Sequence, residues 1–110
     1  MKVLSLTEPY ATLIKNGIKN IETRSWKTTY RGRLYIHASS TKIPKAYREN
    51  QALMSLVNNK ELSYGNIICS CDLVDCVEMT DEFIDDISKF ELEYTSKELN
   101  DFFVNLLRCE

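Results

Sequence analysis

Hydrophobic and polar positions recur along this chain with two different periods, and each change of period marks an element. Leu4 and Leu6 share one side of an extended stretch, predicting a first strand over Lys2 to Leu6. Thr7 is placed to cap a helix with Pro9 in its first turn. Tyr10, Leu13 and Ile14 then form a stripe at helical spacing, and Gly17 supplies the left-handed stop. Period two returns over Lys19 to Arg24 and over Arg33 to Ala38, with a polar, aromatic-bearing loop, Ser25 to Gly32, between them. Pro44 opens a helix that carries Ala46, Tyr47, Leu53, Met54 and Val57 and frays at Asn58 and Asn59. A turn at Gly65 leads into the longest apolar run, Asn66 to Met79. Ile67, Cys69, Cys71 and Leu73 lie on one of its faces and Ile68, Ser70, Asp72 and Val74 on the other. Such a run exceeds the usual strand of about five to six residues, so a bend or bulge is expected near Asp72 to Asp75. Thr80-Asp81-Glu82 starts a short acidic helix with Phe83 and Ile87 four residues apart. Thr95 and Glu98 make a capping box for a last helix over 95–110, striped by Leu99, Phe102, Phe103, Leu106 and Leu107. The order β-α-β-β-α-β-α-α predicts an α+β fold, a small mixed sheet or open barrel flanked by helices.

Composition narrows this to one compact domain over 1–110. With 110 residues, 44% of them hydrophobic, and only three glycines and two prolines, there is no room for a second core and no sign of a linker. No stretch approaches the ~20 apolar residues of a membrane span, and Glu8 interrupts the N-terminus before a signal peptide's apolar stretch is complete. A cytoplasmic location without a membrane partner is therefore expected. Cys69, Cys71, Cys76 and Cys109 form no C-x-x-C pair and accompany a single histidine, so neither a metal nor a cofactor is expected. In a reducing compartment disulfides are not expected either, and Cys69 and Cys71 read as small core residues.

Charge changes the picture more. Through Arg48 the chain carries ten basic and two acidic residues, a net of +8; from Glu49 onward it carries four basic and fourteen acidic, a net of −10. The split suggests an anion-binding surface in the first half, with mutual attraction of the two halves as the plainer alternative. Within the cationic half, Glu22 and Arg24 share a strand face opposite Ile21. Lys19 falls on Ile21's side unless the strand starts irregularly after Gly17. The next loop holds the only tryptophan, Trp26, among Arg24, Lys27, Arg31 and Arg33. Cations for phosphate beside a ring for base stacking suit single-stranded nucleic acid, whereas a ring that merely anchors the loop is the structural alternative. Tyr35 and His37 project from the same face of the next strand as Arg33.

These residues also carry a family resemblance. Leu4-Ser5-Leu6-Thr7-Glu8-Pro9-Tyr10-Ala11, Gly17-Ile18-Lys19 to Glu22-Thr23-Arg24-Ser25-Trp26, Tyr30 to Ala38 and Gly65 to Cys76 follow in order, and together they resemble the ASCH domain family (activating signal cointegrator homology). The family's GxKxxExR signature is matched at Gly17, Lys19, Glu22 and Arg24, and the resemblance is strongest over 4–79. It implies a PUA-like fold, a small mixed β-barrel flanked by helices, with the signature lining a cleft. It implies an RNA-binding or nucleotide-binding module, with DNA as a further possible partner. The ligand-binding set is then Lys19, Glu22, Arg24, Trp26, Lys27, Arg31, Arg33, Tyr35 and His37. A divergent branch hydrolyses the amide of acetylated cytidine, using a lysine that corresponds to Lys19 and a threonine nucleophile where this chain has Glu22. A small amidohydrolase with Lys19 and Glu22 as its catalytic pair is accordingly the alternative function, the carboxylate acting as a base on water, and a protein-interaction domain is the third. Where the family continues into a further strand pair, this chain shows a helical pattern over 95–110. An open sheet edge and that apolar stripe would favour a homodimer through the C-terminal helix.

Overall fold

The computed structural model describes residues 1–58, 60–87 and 102–109. β1 (Val3–Leu6) leads through α1 (Tyr10–Lys15) to β2 (Ile21–Arg24) and β3 (Gly32–Ala38). Two short helices, α2 (Lys45–Arg48) and α3 (Gln51–Ser55), precede the long β4 (Ile67–Glu78), followed by α4 (Asp81–Ile87) and β5 (Phe103–Cys109). The five strands form one mixed sheet in the order β1-β3-β4-β5-β2, with β1 parallel to β3 and all other pairs antiparallel. The sheet curls into a half-barrel with helices around it, the α+β, PUA-like architecture expected from the sequence.

Local chemistry explains most boundaries. Gly17 has φ 74°, and nothing lies within 4 Å of where its Cβ would be. Backbone conformation, not space, therefore demands glycine at the end of α1. Thr7 does not cap α1 with its side chain; its carbonyl accepts from the Tyr10 amide. The fully buried Glu8 does the capping work, accepting from the Thr12 amide (2.9 Å) and hydroxyl (2.7 Å). The single helix expected after Pro44 is two, because Asn50 leaves the helical conformation and its side chain accepts from the Leu53 amide at 3.0 Å, starting α3 afresh. The expected irregularity in β4 is present as a register shift between Leu73 and Asp75 against β5.

Two cores result. Leu6, Ala11, Ile14, Leu34, Ile36, Cys71, Leu73 and Leu107 fill the space between the concave sheet face and α1. Tyr10, Leu13, Ile43, Tyr47, Leu53 and Val57 tie α1 to α2 and α3. On the other side of the β5 end, Ile84 of α4 packs against Val104, with Phe83, Val77 and Leu106 around them. The side chain of Ile87 and the capping box at Thr95 and Glu98, with Leu99, lie outside the described residues.

The C-terminus corrects the sequence reading. Instead of a helix, 103–109 form a strand inserted between β4 and β2. Phe103-Val104-Asn105-Leu106-Leu107 carries apolar residues on both faces, because both faces of β5 are covered there. The resulting near-continuous hydrophobic run mimics a helical stripe. Val104 (0% exposed) and Leu107 (4%) are core residues, so the stripe expected to support a homodimer is consumed inside the sheet. The same strand overturns the expectation of free cysteines. Cys109 stands directly opposite Cys71 on β4, and the two are joined as a disulfide across 38 residues of sequence. A residue assigned to a helix offered no reason to look for that partner.

Candidate functional site

The strand following Gly17 starts late. The amides of Ile18 and Lys19 both donate to the Leu13 carbonyl (3.0 and 3.1 Å), so β2 begins only at Ile21. That irregular turn rotates Lys19 to the side of Glu22 rather than of Ile21. Its side chain is buried, with Nζ 3.9 Å from Glu22 Oε2 and 4.4 Å from the centroid of the Tyr10 ring. Tyr10 in turn meets Tyr47 edge-on at 5.1 Å. A cation facing a carboxylate and a ring is thus fixed where α1 meets the inner face of the half-barrel.

Along β2, Glu22 and Arg24 share one face, and both line the larger of the cavities described next. Arg24 spans the mouth of the half-barrel: its Nη2 donates to the Ser5 carbonyl at 3.0 Å, linking the edge strands β1 and β2. Its guanidinium carbon lies 5.6 Å from the centre of Trp26, which is 58% exposed. Trp26 therefore does not anchor the loop in the core. Arg24 and Trp26 form a wall shared by two cavities. The larger, about 360 Å³, is bounded also by Ser5, Tyr10, Glu22 and Tyr47. The smaller, about 290 Å³, is bounded also by Lys2, Tyr30, Asn105 and Leu107.

Asn105 is a site residue the sequence reading missed. It pairs with Glu22 across the β2–β5 ladder, donates from Nδ2 to the Glu22 carbonyl at 3.2 Å and is 6% exposed. Its Oδ1 and the Nε of Arg24 are buried and make no hydrogen bond among the described residues. One acceptor and one donor without a partner among the described residues thus belong to side chains lining the smaller cavity, Arg24 lining the larger one as well. A lone amide within the apolar run 102–107 was the available signal, obscured by the helical assignment.

The remaining candidates do not join this cleft. Arg33 pairs with Asp72 (3.2 Å) and its Nη1 donates to Ser70 (2.8 Å), while Arg31 pairs with Asp75 (3.3 Å). Arg33, Tyr35 and His37 alternate with the buried Leu34, Ile36 and Ala38 and so occupy the opposite, convex face, where His37 Nδ1 lies 2.9 Å from Ser5 Oγ. Lys27 is exposed in the loop beside Trp26. Tyr30 hydrogen-bonds the Arg33 carbonyl and has Lys2 Nζ 5.2 Å from its ring, closing the base of that loop. The charge split is thus partly spent within the fold, with basic residues of the first half bound to acidic residues of β4. Cys69 is the described group whose titration clearly moves: burial pushes its thiol up, and nearby Lys15 opposes this.

Known proteins resemble much of this chain. The human protein Activating signal cointegrator 1 is 40% identical over 79 residues, covering 71% of this chain and 14% of the relative. The mouse protein of the same name is 39% identical over 79 residues, with the same shares. The chain thus aligns with only about a seventh of the length of these relatives. The family model of the ASCH domain covers residues 4–108, from the first strand through the whole signature to the strand that completes the sheet, and the chain belongs to the ASCH domain family.

Proposed function

We propose that this protein is a nucleic-acid-binding module that takes an unpaired base of single-stranded RNA into the half-barrel cleft. The observation that carries the reading is the Arg24–Trp26 wall: an exposed indole held against a guanidinium between two cavities. A ring with one free face offers stacking, and the unpartnered Asn105 Oδ1 and Arg24 Nε offer an acceptor and a donor for a base edge. The larger cavity lies near the lower end of the ~300–1,000 Å³ common for small-ligand sites, which suits one nucleotide and not a duplex. Lys27 beside the mouth is the phosphate contact, since Arg31 and Arg33 are held by Asp75 and Asp72.

Because Trp26 is the sole tryptophan, its fluorescence reports occupancy directly. Titration with a short single-stranded RNA should quench it, and Trp26→Ala should weaken binding of a labelled oligomer roughly 5- to 150-fold, the equivalent of one base stack at ~1–3 kcal/mol. Equal binding by the variant would remove the cleft from consideration. DNA of the same sequence, run in parallel, reports the sugar preference.

A second reading is favoured by the buried Lys19–Glu22 pair, with Glu22 lining the larger cavity. In it Glu22 activates water against an amide of a modified nucleoside while Lys19 steadies the developing oxyanion. Incubation with acetylated cytidine should then release cytidine, and Lys19→Ala should abolish release. Unchanged substrate with the parent protein rejects this reading and leaves the binding module standing.

A further inference from the structure

Away from the cleft, three sulfurs converge. Cys69 and Cys71 lie two apart on β4 and point to the same face, and Cys109 is the partner of Cys71 on β5. The three Sγ atoms lie within 4.8 Å of one another. Cys71 is 1% exposed, whereas Cys69 and Cys109 are half-buried at the rim of the core formed with Ala11, Ile14, Leu34 and Ile36. Cys76, five residues beyond Cys71 and past the bulge, is buried outside the trio.

We propose that in the reduced chain Cys69, Cys71 and Cys109 bind one soft monovalent cation, Cu(I), through three thiolates. Thiolates select soft cations, whereas hard cations require oxygen ligands, and the trio packs against the apolar Ala11, Ile14, Leu34 and Ile36. With metal–sulfur bonds of about 2.3 Å, a trigonal site holds its sulfurs about 4 Å apart, a separation comparable with the 4.8 Å within which the three Sγ atoms of the trio lie. Three sulfurs with no fourth His, Cys, Asp or Glu grouped with them among the described residues match Cu(I) better than the closed four-ligand set of structural zinc. Lys15, whose charge acts on Cys69, offsets part of the negative charge of such a complex.

The Cys71–Cys109 disulfide and the cation exclude each other. Two molecules of a small thiol reduce the bond: each cysteine sulfur gains one electron and one proton, and the reductant leaves as its own disulfide. Cu(I) then displaces up to three thiol protons to solvent without changing oxidation state.

The test is anaerobic titration of the reduced 110-residue chain with Cu(I) against a chromogenic Cu(I) chelator. The expected result is one tightly held Cu(I) per chain, at least about tenfold weaker binding by Cys69→Ser, unchanged binding by Cys76→Ser, and none by the oxidised chain. Cys69→Ser keeps the disulfide pair, so its fold is verified in the oxidised form by Trp26 fluorescence. Should it fail to fold, Cys109→Ser takes its place with the same expected loss. The proposal is overturned if the reduced chain holds no stoichiometric Cu(I), if the trio variant binds like the parent, or if Cys76→Ser is equally impaired.

Discussion

Lys27 and Arg33 bear the same charge but stand in different electrostatic circumstances. Lys27 is exposed in the loop next to Trp26, while Arg33 lies on the convex face against Asp72 and Ser70. A lysine that contacts phosphate releases counterions on binding. Lys27→Ala should therefore lower the slope of log affinity against log salt by about 0.7, while Arg33→Ala leaves it nearly unchanged; measuring RNA affinity across a salt series separates the two. Equal effects would show that the convex face also meets RNA. Exposed pairs such as Arg33–Asp72 contribute only ~0.2–1 kcal/mol to stability, so little confusion with unfolding arises. The buried Lys19–Glu22 pair differs. Glu22→Ala leaves a desolvated ammonium, and the urea midpoint should report a loss of about 3–5 kcal/mol. Cys69 adds a pH signature: its raised pKa means that the folded state favours the neutral thiol. Its contribution is fully present below the ordinary thiol pKa and is lost as pH rises through the raised value. Cys69→Ala should remove that part of the alkaline decline, as read from denaturation midpoints at pH 8 and 10.

Elements show where local signals suffice. The stripe of Tyr10, Leu13 and Ile14, the positive φ at Gly17 and the β4 bulge were all legible, because each follows from spacing or from a single residue's conformational preference. The α2–α3 division was not, since Asn50 is equally compatible with an exposed helical position until its side chain captures the Leu53 amide. Asn50→Ala should lower stability by ~0.5–2 kcal/mol through loss of this cap, measured as a shift in the denaturation midpoint. The side on which Lys19 lies was also undecided by alternation, because it depends on two amides that converge on Leu13.

At the scale of the molecule, β5 is the element on which closure depends. It lies between β4 and β2 and brings together Asn105, the disulfide partner of Cys71 and the buried Val104. Amides of residues 104–107 should accordingly exchange with deuterium only through global unfolding, whereas those of α2 and α3 exchange through local opening; rapid exchange at 104–107 would contradict the strand. By itself the sequence determined the α+β class, the first four strands, the shared strand face of Glu22 and Arg24, and membership of a recognisable family. All of these rest on local periodicity or on motif residues close in the chain. Only the tertiary structure decided that 103–109 is a strand, that Arg31 and Arg33 turn away to meet β4 while Arg24 and Trp26 divide two cavities, and that three cysteines meet. The physical reason is common to these outcomes. A run covered on both faces loses its period, and an ion pair, a cavity or a sulfur cluster is made by residues up to 105 positions apart, as Lys2 and Leu107 are, whose meeting only strand order and register can set.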